Sequence, residues 1–192
     1  MGRVLALIMG VLMATNAGAD TYKGNEMPPY QVDRAEGAME VRSYSAHVVA
    51  EVTVAGTREA AIGTGFRVLA GYIFGGNETG GKIAMTVPVA QSAAKAGDWT
   101  VRFMMPAASA AAGLPQPKDP RIRLVSVAAE RQVALRFSGL RGDAALAEHA
   151  LALADWAAAQ GLTLTSPPRY YFYDGPMTLP WNRRNEVAFS VK

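Results

Sequence analysis

One order of elements, strand–strand–helix–strand–strand, is legible twice in this chain, the second copy about 80 residues after the first. In the first copy Met39–Tyr44 and Ala46–Val54 read as two strands of a hairpin. Ala46, Val48, Ala50, Val52 and Val54 share one face of the second strand; His47, Glu51 and Thr53 share the other. Thr57 is placed to cap a helix running to about Tyr72, whose seam Ile62, Phe66, Leu69 and Ile73 has the spacing of one helical face. Strands are predicted near Lys82–Val89 and Trp99–Met105.

After a Pro- and Ala-rich connector (106–120) the order returns. Ile122–Val127 and Gln132–Phe137 read as a strand pair, and Asp143 as the cap of a helix to about Gln160. Leu146, Ala150, Leu153 and Ala157 line that helix, Gly161 ends it, and strands follow at Arg169–Tyr173 and Asn185–Val191. A unit of this size cannot bury its sheet face alone. The predicted fold is therefore α+β: a distorted antiparallel β-barrel of about eight strands with two helices, built from two pseudo-symmetric ββαββ halves, 39–105 and 121–191. Residues 20–38, polar and carrying Pro28 and Pro29, read as an arm across the surface.

Half of the 192 residues are hydrophobic and 18% are charged, the balance of a chain with a core. No run of like charge exceeds Arg183-Arg184, whereas a nucleic-acid binder concentrates its cations on one face; no nucleic-acid partner is expected. There is no cysteine, which excludes disulfides, thiolate metal sites and cysteine nucleophiles. Residues 1–19 have the pattern of a signal peptide: Arg3, an apolar run from Val4 to Met13, and small residues at Ala17 and Ala19. The run is shorter than the ~20 residues of a membrane span. The expectation is export, most plainly to a periplasm, with cleavage after Ala19 and no stable membrane span thereafter. The mature chain then carries 18 basic and 16 acidic residues, a net +2.

Several segments are similar to the SOUL/heme-binding protein family. They are "PPYQV" (28–32), "MEVRSY" (39–44), "GYIFGGNETGGKIAMTVPV" (71–89), "WTVRFMMP" (99–106), "YYFYDGP" (170–176) and "RRNEVAFSV" (183–191). They occur in order over nearly the whole mature chain. The resemblance implies a distorted barrel of two related halves that binds heme or a related tetrapyrrole on an apolar surface beside the first helix. It also implies basic residues that meet the propionates. Where some members carry a strand histidine this chain has Ser43, and where some carry a helix arginine it has Gly63, so the family's axial histidine is absent.

A tetrapyrrole is flat, apolar on both faces and anionic at one edge, so it needs a wide apolar surface with cations at the rim. Ile62, Phe66 and Leu69 are the candidate platform, Met85 faces them, and Arg67 or Lys82 is the candidate propionate partner. The plain alternative is that the apolar four are core against the sheet. Gly63 and Gly65, unfavourable inside a helix by ~1 kcal/mol each, imply close approach by a sheet or a ligand. The second candidate is a barrel pocket holding Glu186, Tyr171 and Trp181, with Glu186 as an acid for a cationic or apolar ligand or for hydrolysis. An ion pair of Glu186 with Arg183 or Arg184 is the alternative. His47 is expected on a polar strand face and His149 beside a helix seam. No catalytic motif is present, so a binding protein is expected over an enzyme, and a ligand-free envelope interaction module stays open.

Overall fold

The computed structural model describes residues 20–192; the leader segment 1–19 and its cleavage point lie outside them. Along the chain run β1 (Thr21–Tyr22), β2 (Asn25–Glu26), β3 (Tyr30–Glu36), β4 (Met39–Tyr44), β5 (His47–Val54), α1 (Arg58–Ile73), β6 (Val89–Ala93) and β7 (Trp99–Met104). There follow α2 (Ala107–Ala112), β8 (Arg123–Val127), β9 (Glu130–Phe137), α3 (Asp143–Ala159), β10 (Arg169–Phe172) and β11 (Asn185–Ser190). Strands β3 to β11 form one curled antiparallel sheet in the order β3-β4-β9-β11-β10-β6-β7-β5-β8. It is a nine-stranded half-barrel with β3 and β8 at its edges, where a distorted barrel of about eight strands was expected, and α2 is a third, short helix.

Neither the hairpin expected in the first unit nor the strand pair expected in the second forms. β4 pairs with β3 and β9, and β5 with β7 and β8. A two-residue hairpin loop needs positive φ at one or both central residues, and neither Ser45-Ala46 nor Ala128-Ala129 supplies it. The reversal that does occur is β3 to β4, where Gly37 sits at φ 59°. Part of the expected surface arm is thus an edge strand; the stretch that crosses the sheet is residues 20–27. The strand expected over 82–89 starts only at Val89, because Pro88 has no N–H to give a ladder.

Thr57 caps α1, its side chain accepting from the Ala60 N–H at 3.3 Å. At α3 the cap is Gly142 instead of Asp143. Asp143 opens the first turn, and its carboxylate takes the Arg58 guanidinium of α1. In the connector, Pro106 precedes a run of alanines that form α2 until Gly113, at φ 92°, ends it.

The two long helices lie on one face of the sheet. Leu69, Tyr72 and Ile73 of α1 pack on Ala50, Val52, Val101 and Phe103. Leu146, Leu153 and Ala157 of α3 pack on Val133, Leu135, Val187 and Phe189. Ile62 touches both clusters. The period of two sends Ala134 and Ala188 to the opposite, concave face, where Met27 of the N-terminal arm joins Tyr171 and Tyr173. No helix among the described residues is long and apolar enough to cross a membrane.

Candidate functional site

The proposed platform residues divide on α1. Leu69 is completely buried and belongs to the core, a correction to its expected role. Ile62 is half-buried, and Phe66 remains 39% exposed although its ring meets Phe103 edge-on at 5.4 Å. Phe74, one further four-residue step beyond Ala70, is 61% exposed. Ile62, Phe66, Ala70 and Phe74 therefore make an apolar stripe along the flank of α1 that the sheet covers only in part. Met85 packs at the margin of the same core, and Lys82 is exposed just before Ile83, whose N–H donates to the Ile73 carbonyl at 2.8 Å.

The two helix glycines answer differently. A Cβ on Gly65 would lie 2.5 Å from Val101 Cγ2, so this glycine seats α1 on the sheet. A Cβ on Gly63 would meet nothing, which leaves bare backbone on the outer side. Arg67 makes only two long local contacts, to the Gly63 carbonyl and Thr64 Oγ1, both at 3.3 Å. On the other edge of α1 an open depression of about 850 Å³ is lined by Thr64, Arg67, Val68, Tyr72, Lys118 and Arg121. Arg121 is closed on Asp119 at 2.6 Å, holding that carboxyl down at about 2. Arg67, Lys82 and Lys118 form no ion pair among the described residues.

The concave face has another character. Glu186 is completely buried. Its Oε2 accepts from Arg42 Nη1 at 2.7 Å and Tyr173 OH at 3.1 Å; its Oε1 accepts from Arg184 Nη2 at 2.6 Å and Arg42 Nη2 at 3.1 Å. The ion-pair alternative for Glu186 is thus what the fold contains, through Arg184 and not Arg183, with Arg42 as a second cation. An acid held this way has no free oxygen for a cationic ligand. Tyr171 donates to Gln132 Oε1 at 3.0 Å, and Gln132 donates to Glu130, which also accepts from Ser190 at 2.7 Å and pairs with Arg169. The cleft between these groups, lined by Tyr44, His47, Thr100, Arg102, Met104 and Tyr171 among others, leaves about 50 Å³ open to water. Small-molecule sites hold ~300–1,000 Å³, so a macrocycle does not enter. Trp181 is not on this cleft; it is 68% exposed on the 3₁₀ turn Pro180–Asn182. His47 lines the cleft with Nδ1 2.9 Å from the Ser45 carbonyl, and His149 stacks on Phe137 at 4.0 Å.

Arg42 was missed from sequence. The available signal was the alternation Glu40, Arg42, Tyr44 opposite Val41, which puts an arginine between two polar partners on the face turned away from the helices. Its own partners include Glu40 at 2.7 Å and the Tyr30 ring at 4.5 Å.

These pairs set a pH dependence. Burial alone would raise the Glu186 carboxyl, but the Arg42 and Arg184 contacts outweigh it and hold it below the ordinary range. Burial likewise opposes, and hydrogen bonds overcome, at Glu130 (Arg169, Ser190) and Asp174 (the Arg184 N–H, Lys23, Tyr22). Folded carboxyls with depressed values bind fewer protons than unfolded ones. Their stabilisation is complete above the unfolded value of about 4 and is lost as pH falls through the folded values. Urea midpoints are expected to be level near neutrality and to drop from about pH 4 downward. Asp174→Asn should start lower and fall less; a slope identical to wild type would exclude Asp174 from the effect.

The family model for SOUL heme-binding protein matches residues 25–190. This chain is a member of the SOUL heme-binding family. The membership rests on that match and agrees with the motifs of both halves of the sequence. No curated protein matches it. Among solved structures, the EcmrR C-terminal domain superposes on this SOUL chain with a TM-score of 0.62 at 14% identity, covering 85% of this chain and 98% of the other. A hydrolase from Listeria innocua gives 0.55 at 12% identity, covering 83% and 94%. An uncharacterized conserved protein from the same organism gives 0.56 at 14%, covering 80% and 92%. At these identities the likeness is one of fold alone, shared by proteins with different described roles.

Proposed function

We propose that this protein is exported and binds heme or a related tetrapyrrole on the outer side of α1, as a carrier or buffer and not as an enzyme. The observation that carries the reading is the part-exposed stripe of Ile62, Phe66, Ala70 and Phe74, with Arg67 and Lys82 nearby and in no ion pair among the described residues. Exposed rings present area for a macrocycle face, and the free cations suit carboxylates at its edge. Gly63 leaves room for a flat ring against backbone. When bound, the group supplies an iron centre or a chromophore; this chain's residues supply apolar burial and charge. Neither histidine lies on the stripe, so the binding should be exchangeable. The twofold relation of the halves belongs to the same proposal: exchanging each strand of the first unit for its counterpart in the second turns the sheet order from β4 to β8 into its own reverse.

Titrating the mature chain with hemin should give a saturable Soret shift. Phe66→Asp should weaken it by roughly tenfold or more, because a carboxylate on the platform must be desolvated beside an anionic ligand. Lys82→Glu should weaken it less, and Tyr171→Phe in the concave cleft should not change it. Absence of any shift at micromolar hemin overturns the proposal.

A further inference from the structure

Among the described residues, half of the large apolar side chains that stay exposed gather on two adjoining loops. Leu140 (71% exposed) precedes α3, and Met177 (94%), Leu179 (52%) and Trp181 (68%) lie between β10 and β11. The loops are tied together by the Gly139 N–H donating to the Pro180 carbonyl at 2.9 Å. Arg183 braces the second loop, donating to the carbonyls of Thr178 at 2.7 Å and Pro176 at 2.8 Å. The tip is thus built, not frayed, and it holds apolar groups out in water.

Its surroundings are cationic. Arg141 lies over the Phe172 ring at 4.9 Å, and Arg58 Nη2 donates to the Arg141 carbonyl at 2.8 Å. Beside Trp181 an open depression of about 520 Å³ is lined by Tyr22, Arg136, Phe137, Arg183 and Arg184, and no acidic residue lines it. Arg136, Arg141 and Arg183 form no ion pair among the described residues. Two carboxylates of the neighbouring segments are already committed: Asp143 to Arg58, and Asp174 to Lys23, Tyr22 and the Arg184 N–H.

We infer that this tip is a docking surface for an anionic phospholipid bilayer, with Leu140, Met177, Leu179 and Trp181 entering the headgroup boundary and Arg136, Arg141 and Arg183 meeting the phosphates. A protein partner would have to match apolar groups that project singly and a rim of one charge. A bilayer matches both, since apolar area and attraction to anionic headgroups add at its surface. Tryptophan suits that depth, with an apolar ring and one N–H donor. The surface is separate from the α1 stripe and does not depend on tetrapyrrole binding.

The test is co-sedimentation of the mature chain with phosphatidylglycerol vesicles and with phosphatidylcholine vesicles. Partition onto phosphatidylglycerol is expected at least about tenfold above phosphatidylcholine, and it should fall as salt is raised. The double variant Leu179→Asp/Trp181→Asp should lose it with an unchanged melting temperature, because both side chains are exposed. Arg136→Ser should weaken it, and Trp181→Phe should bind while losing the blue shift of tryptophan emission. No partition, equal partition onto both vesicles, or undiminished binding by the double variant overturns the inference. So does self-association of the wild type that the double variant abolishes, which would make the tip an interface between copies.

Discussion

Glu186→Gln should lower the folding free energy by about 3–5 kcal/mol, the largest effect expected of any single exchange of similar size in this chain. Glutamine keeps the shape and part of the hydrogen bonding but removes the charge on which Arg42 and Arg184 both rest. Arg42 is 1% exposed, so water cannot replace the lost partner. Glu40 stays on Arg42 but is partly solvated and faces only the Nε edge. Tyr173→Phe, which removes one hydrogen bond to the same carboxylate, should cost less, about 1.5–3 kcal/mol. Urea unfolding compares them. A loss under about 1 kcal/mol for Glu186→Gln would show that the guanidinium groups move to water at little cost, and would reopen the concave face as a ligand site.

Gly65→Leu should also be strongly destabilising, and for the opposite reason. Leucine gains ~0.8 kcal/mol of helix propensity over glycine. Against this, its first side-chain carbon would stand 2.5 Å from Val101 Cγ2 and 2.7 Å from Val101 Cβ. α1 must lift from β7 to admit it, and overpacking of this kind costs ~1–3 kcal/mol or more. The net expectation is a loss of about 2 kcal/mol, with hemin affinity falling too because Phe66 is carried off Phe103. Val101→Ala in the same chain should restore most of both. If the double variant is no better than Gly65→Leu alone, the close approach at Val101 is not the cause.

Much of the frame was legible because it rests on local patterns. The Thr57 cap, the seam that buries Leu69 and Ile73, and the Leu146–Leu153–Ala157 face all follow from a 3.6-residue period and its start signals. The pairing of strands was not legible in the same way. Ser45-Ala46 lies between two strand-like segments and invites a hairpin, and only the lack of turn chemistry there argues against one. The site divided similarly. Spacing put Phe66 in one seam with Leu69 and Ile73 and did not distinguish the exposed ring from the two buried side chains. The contact of Arg42 with Glu186 joins residues 144 apart, and no periodicity specifies which arginine a buried carboxylate will meet.

Because the half-barrel never closes, it ends in two strands whose outer hydrogen-bonding groups have no ladder partner, the geometry by which sheets recruit one another into aggregates. The β3 rim is guarded: Asp33 is an extra residue in the register between Val32 and Arg34, which kinks the strand, and it binds Ser43 Oγ at 2.7 Å. The β8 rim, Arg-Leu-Val-Ser-Val, carries one charge at its start and no such irregularity. Edge-to-edge polymerisation, where it occurs under stress, should therefore begin at β8, and a lysine in place of Val125 should delay it.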